Sequence, residues 1–275
     1  MFTLSVLTDE IDQDFAHALD VAEEWDLHTV ELHKLWGKNV CDLEPVELTR
    51  ALRMVSERGL RVSAIDSLFL RCPIADAAAY AQHIDILKRS FEIADLFHTP
   101  MVRCFSFWRQ DTLAQHWDLL LERLELPVRL AERAGVTLAF ENTKTTLVGT
   151  GAEIRQLMLA INSPAFRSIW DIGNALVSGE DRPYPDGYDA VRPWISHVHV
   201  KDAVRHADGS SEWRPIGGGQ VDYRGQLSAL HRDGYTGMIA LETHYQPAGG
   251  TKEQGSRESF AGLRGILGEL NLPWQ

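Results

Sequence analysis

The sequence predicts a closed (β/α)8 barrel, a TIM barrel, and three observations carry the prediction. Short apolar runs alternate eight times with longer amphipathic stretches, at roughly 34 residues per unit, the rhythm of parallel strands joined by helices. No Ser-, Gly- or Pro-rich linker interrupts the chain, so residues 1–275 are expected to form one domain. The first apolar run is followed by Thr8-Asp9-Glu10-Ile11-Asp12, where an open doubly wound sheet would carry a glycine-rich phosphate turn.

Leu4 to Leu7 reads as the first strand, and Phe15, Ala18, Leu19, Ala22 and Trp25 recur behind it at helical spacing. Thr29 to His33 alternates as a strand, and a helix from Val46 to Arg58 is stopped by Gly59. Arg61 to Ile65 is the third strand. A long amphipathic helix, about Asp76 to Leu96, leads into Met101 to Phe105, and Gly135 ends the next helix, Leu113 to Ala134. Val136 to Glu141 precedes a helix from Gly151, where Thr150 and Glu153 are spaced as a capping box. Phe166 to Asp171 runs into a Gly/Pro-rich loop and a short helix near Asp189. Then come the strand Ile195 to Lys201, a polar loop from Asp202 to Gly219, the helix Tyr223 to Arg232, the strand Met238 to Glu242 and the helix Arg257 to Leu267.

Composition narrows the function. A formal charge of −12 argues against a nucleic-acid partner and supplies no polybasic surface for acidic lipids. No apolar run approaches the roughly 20 residues that span a bilayer, and Met1 to Ser5 lacks the features of a signal peptide. Cys41, Cys72 and Cys104 are odd in number and far apart, which points to a reducing, cytoplasmic setting.

Reactive groups of such barrels sit at the C-terminal ends of the strands. Here those ends carry Asp9 and Glu10, Glu31 and His33, Asp66, Arg103, Glu141, Asp171, His199 with Lys201, and Glu242. Between Ile195 and Asp202 the two-residue period sends His197, His199 and Lys201 to one face and Ser196, Val198 and Val200 to the other. Thr137, Ala139 and Ala240 are small inward residues that leave room at the mouth. Three acids crowded there would repel one another, and burying each alone costs on the order of several kcal/mol. A divalent cation removes that cost. Glu141, Asp171, His199 and Glu242 are therefore the expected ligands of one metal ion. Three oxygen donors with one imidazole suit Mn²⁺ first, with Mg²⁺, Co²⁺ or Zn²⁺ as alternatives. Glu31 and His33, across the barrel, read as substrate contacts. His197 is a substrate contact or a packed neighbour one layer deeper, and Lys201 a substrate contact or a solvated residue of the mouth. Trp36, Phe69, Phe107, Trp108 and Trp213 are candidate pocket walls.

Taken in order, L-A-F-E-N-T (Glu141, Asn142), W-D-I-G-N-A (Asp171, Asn174), H-V-H-V-K-D (His199, Asp202), P-I-G-G-G-Q-V-D-Y (Gly217 to Tyr223) and A-L-E-T (Glu242) make the chain resemble the xylose-isomerase-like barrel superfamily. The resemblance is to its sugar phosphate isomerase/epimerase branch, which includes ketose 3-epimerases, hydroxypyruvate isomerase and inosose dehydratase. It implies one metal ion on Glu141, Asp171, His199 and Glu242, a substrate-binding Arg205, and often a homo-oligomer. The third residue after the aspartate ligand is His in the ketose 3-epimerases and Asn174 here, a departure at a substrate-binding position. The resemblance also reaches apurinic-site endonucleases, but Ser211 and Trp213 stand where those enzymes need Asp and His, and the ends of the third and fourth strands lack the required histidines.

The function expected is that of a metal-dependent isomerase or epimerase of a small sugar or keto-polyol. Glu141 and Glu242 would move a proton beside the carbonyl through a metal-stabilised enediolate. Asp202 would support the metal ligands from behind, and Lys201 with Arg205 would hold substrate oxygens. Two alternatives use the same residues: a keto-polyol dehydratase, and a barrel or subunit that binds sugar without turnover.

Overall fold

The computed structural model describes residues 1–275 and shows eight parallel strands in a nearly closed barrel. They are β1 (Thr3–Val6), β2 (Thr29–Leu32), β3 (Arg61–Ile65), β4 (Met101–Cys104), β5 (Thr137–Glu141), β6 (Phe166–Asp171), β7 (Ile195–Val200) and β8 (Met238–Leu241). Pairing runs β1-β8-β7-β6-β5-β4-β3-β2, and a bridge between Leu7 and Glu31 brings β2 back to β1. Every residue of β1 and β2 is buried, as expected of strands covered on both faces, which is why they read as short apolar runs. β3 and β4 share only the pair Ile65–Val102, so their N-terminal halves splay apart.

Nine α-helices surround the strands: α1 (Phe15–Glu24), α2 (Pro45–Glu57), α3 (Ala77–Leu96), α4 (Leu113–Ala134), α5 (Gly151–Ile161), α6 (Ile172–Val177), α7 (Tyr188–Val191), α8 (Tyr223–Arg232) and α9 (Lys252–Glu269). Their starts follow from local chemistry. Asp76 accepts the backbone N–H groups of Ala78 and Ala79, and Thr150 with Glu153 closes a reciprocal capping box. Gly135 ends α4 in the left-handed conformation at φ +67°, which a side chain would resist.

Three details depart from the sequence reading. α9 begins five residues before Arg257, because Thr251 and Gln254 form another capping box. α6 begins directly after Asp171, where a loop was expected, because the Asp171 carboxylate accepts the N–H of Asn174 at 2.6 Å and caps the turn. The polar segment after Lys201 contains an antiparallel hairpin, Asp202–Arg205 against Ser211–Arg214. The three cysteines are unbonded, and no helix is long and apolar enough to cross a membrane.

Candidate metal centre

The parallel arrangement points all eight strand C-termini to one end, and stagger decides which side chains meet there. His199 is in register with Asp171 on one side and with Ala240 on the other. Ala240 leaves space above it that Glu242, the residue just beyond β8, fills. Glu141, Asp171, His199 and Glu242 each bring a ligand atom to within 4.8 Å of the others', and all four are buried. Gly173 lets the turn after Asp171 approach β7: a Cβ there would lie 2.2 Å from the Lys201 carbonyl oxygen.

His199 supplies the clearest test of whether a divalent ion fits. Its Nε2 lies 3.0 Å from Glu31 Oε2, while its Nδ1 lies 3.5 Å from both Glu141 Oε1 and Glu242 Oε2 and has no hydrogen-bond partner. The other oxygen of Glu31 meets Nε2 of His197 at 2.6 Å. Burial by itself would raise the Glu31 pKa; the two imidazoles override it and hold the carboxylate well below its usual range. Glu31 meets Nε2 of His199, so Nδ1 is the ring nitrogen that faces the acids, the way a carboxylate behind a metal-binding imidazole orients the ring. Burial would lower the His199 pKa, but Glu31, Glu141 and Glu242 raise it well above the usual imidazole range. Asp171 Oδ2, the oxygen not used to cap α6, meets the Lys201 ammonium at 3.1 Å. Three carboxylates and one outward-facing imidazole nitrogen fit a hard or borderline divalent ion.

Two cations now share these acids. Lys201 Nζ touches Glu242, lies 3.1 Å from Asp171 Oδ2 and 3.7 Å from Glu141 Oε1, and these charges lift its pKa far above the ordinary lysine value despite burial. Arg103 Nη1 bridges Glu141 Oε2 at 3.0 Å and Glu242 Oε1 at 3.2 Å, and its Nε faces Asp66 at 3.4 Å. Burial pushes Asp171 up to about 6, reinforced by repulsion from Glu141 and Glu242. Burial would do the same to Glu242, but Lys201 and His244 reverse it and hold Glu242 well below the usual range. Asp66 goes the other way: burial pushes its carboxyl well up, Arg103 notwithstanding.

Not every expected contact lies where the sequence suggested. His33, Asn174 and Lys201 line the cavity at this end, with Glu141 and Glu242. Glu31 does not; it is fully buried below, both oxygens committed to imidazoles, and is a support of His199 instead of a substrate contact. His197 is likewise a packed partner of Glu31. Arg205 turns outward along the hairpin to pair with exposed Asp181 at 2.6 Å, away from the cavity. Asp202 does not back the four candidate ligands. Its oxygens accept the N–H groups of Ala203, Gly217, Gly219 and Val221, tying the hairpin to the glycine turn. Arg103 holds one oxygen of Glu141 and one of Glu242.

Arg103 and Arg71 are the cavity residues whose roles the sequence did not show. Arg103 was visible as a polar strand end, but nothing in one strand shows that its guanidinium reaches across to β8. Among aromatics, Phe105 lines the cavity, while Trp36, Phe69 and Phe107 join the apolar core or pack on it. Trp213 stands over Lys201 and edge-on to His244. The cavity measures about 70 Å³. A larger one, about 530 Å³, opens at the opposite end between α2, the end of α3 and the splayed β3 and β4; it contains no carboxylate.

The family described as "Xylose isomerase-like TIM barrel" matches residues 19–266. An inosose dehydratase of Geobacillus thermodenitrificans is 28% identical over 148 residues, covering 49% of this chain and 49% of the relative, so the match spans about half that enzyme's length. An L-ribulose-5-phosphate 3-epimerase of Escherichia coli is 26% identical over 247 residues, 83% of this chain and 85% of the relative. Among solved structures, the IOLI protein with a bound zinc atom superposes with a TM-score of 0.79 at 15% identity, covering 98% of this chain and 99% of that one.

Proposed function

The chain belongs to the xylose isomerase-like TIM barrel family, and from that premise we propose that it is a divalent-metal-dependent isomerase or epimerase of a small sugar or keto-polyol. The observation that carries the reading is the convergence of Glu141, Asp171, His199 and Glu242 with an unpartnered His199 Nδ1 and Glu31 fixed behind it. These four residues would hold the ion, Mn²⁺ by first choice; the zinc named with the structural neighbour supports a divalent ion, and the epimerase relative supports the reaction class. When bound, the ion supplies Lewis-acid polarisation of a carbonyl and charge balance for the acids.

The protein's own groups would do the rest. Glu141 and Glu242 face each other across the cavity mouth and are held ionised, so either can take a proton from the carbon beside a carbonyl while the other, once protonated, returns one. Arg103 fixes the separation of the two carboxylates by bridging them. Lys201 donates to oxygen charge that develops on the substrate, and His33 and Asn174 border the same space.

The test is hydrogen exchange in D₂O with a panel of ketoses, inososes and hydroxypyruvate, with and without Mn²⁺. Chelator-sensitive deuterium incorporation at the carbon beside the carbonyl is the expected result; its absence from every substrate would overturn the assignment. A dehydratase reading has one observation of its own, the buried Lys201 ammonium against Glu242, a charged hydrogen-bond donor for a departing hydroxyl. Loss of water with the rise of an enone absorbance, in place of sugar interconversion, would select it.

A further inference from the structure

The cavity holds one cation that the metal and proton chemistry leave unused. Arg71, on the loop after β3, lines the cavity beside Glu141, Glu242 and Lys201 and also borders a neighbouring one of about 300 Å³. Its guanidinium carbon lies 4.5 Å from the Phe105 ring centre and 5.2 Å from that of Trp108, so two aromatic rings pack against the group while its N–H edges remain to donate. Unlike Arg103, which spends itself on Glu141, Glu242 and Asp66, Arg71 makes no ion pair, and its buried Nε has no hydrogen-bond partner. Burial and then the charge of Arg103 both work against its ionised form. The cavity's remaining acid, Glu10, is already paired with Lys252 at 3.2 Å. A divalent ion added to Lys201 and Arg103 more than balances the three ligand carboxylates, so Arg71, whose charge is favoured by the already shared Glu141 and Glu242, adds an excess positive charge.

We infer that Arg71 is the anchor for a carboxylate on the substrate, so that the substrate is a keto or hydroxy acid of the polyol class. This rests on the proposed function for placing the substrate's other end at Glu141 and Glu242. A carboxylate matches the fork of a guanidinium edge with two parallel hydrogen bonds. A phosphate cradle is normally built from several free backbone N–H groups. Here those of Glu10, Arg71, Phe105, Thr143, Asn174 and His244 are all spent on internal acceptors.

Three probes that differ in one group make the test: D-gluconate, neutral D-glucitol and D-glucitol 6-phosphate, titrated calorimetrically into the metal-free and the Mn²⁺-loaded protein. Gluconate should bind about tenfold or more tighter than glucitol, the margin of a charge-assisted hydrogen bond. Arg71→Gln should erase that margin. Arg71→Lys should keep part of it, because a point charge remains without the fork, and it serves as the readout if Arg71→Gln does not fold. Gluconate binding no tighter than glucitol, a margin unchanged in both variants, or an Arg71-dependent preference for the phosphate would each overturn the assignment. The metal-free titration separates the two readings. Loss of deuterium exchange with the gluconate margin intact removes the metal chemistry alone; an intact exchange without the margin removes Arg71's role alone.

Discussion

The two ends of the barrel differ in a way that volume does not predict. The floor holds the larger cavity, about 530 Å³, lined by Leu52, Val55, Leu60, Val62 and Phe97 together with Arg61, His98, His197 and several Ser and Thr residues, but by no carboxylate. The mouth holds about 70 Å³, but it gathers Glu10, Glu141, Glu242, Arg71, Arg103 and Lys201. The floor is the place where two strands fail to pair; the mouth is the place where eight strand ends aim charged side chains at one point. Concentrated charge in a buried space is expensive unless opposite charges meet it, so the mouth carries a specific chemistry and the floor need carry none.

The contrast can be broken or sharpened in graded steps. Glu141→Gln and Glu242→Gln should each lower turnover by about 10²–10⁴-fold, the usual worth of a positioned acid or base, with an unchanged circular dichroism spectrum. An active Glu141→Gln protein would remove the mouth's claim to the chemistry. Arg103→Met should cost about 3–5 kcal/mol in urea unfolding, since it strands Glu141 and Glu242 without their bridge. Excess Mn²⁺ should restore part of that loss, because an ion bound only by the folded state stabilises it. Glu31→Gln should weaken Mn²⁺ binding about 10–100-fold, read by competition with a fluorescent chelator, as loss of the carboxylate behind a metal-binding imidazole does. At the floor, Val55→Ile should shift stability by less than about 1.5 kcal/mol and leave metal affinity unmoved. A floor substitution that altered metal affinity would mean that His197, which borders the floor cavity and bonds Glu31, couples the two ends.

The positions of the strands were legible because the strands are largely buried on both faces, and some helices carry their own start signal, as Thr150 with Glu153 shows. Glu141, Asp171, His199 and Glu242 were legible as a set because all four end apolar runs. Glu31 read as a substrate contact and lies below the cavity instead, since a residue's depth in a barrel depends on the stagger between strands. The register of β2 slips against β3 between Val30 and Glu31 and seats the carboxylate beneath His199. Arg205 was misplaced for a similar reason: the hairpin that carries it away from the mouth closes through Asp202 and the turn at Gly217 and Gly219, contacts some 15 residues apart in the chain.

The alternation of eight strands and helices, the acidic strand ends and the imidazole among them are thus properties of the sequence by itself. They depend on periods of two and 3.6 residues and on caps only a few residues long. Which oxygen Arg103 bridges, which nitrogen of His199 is left open and which arginine stands unpaired were decided only in three dimensions. Those outcomes depend on stagger and on side chains from distant strands meeting in one low-dielectric space, and no local pattern encodes either.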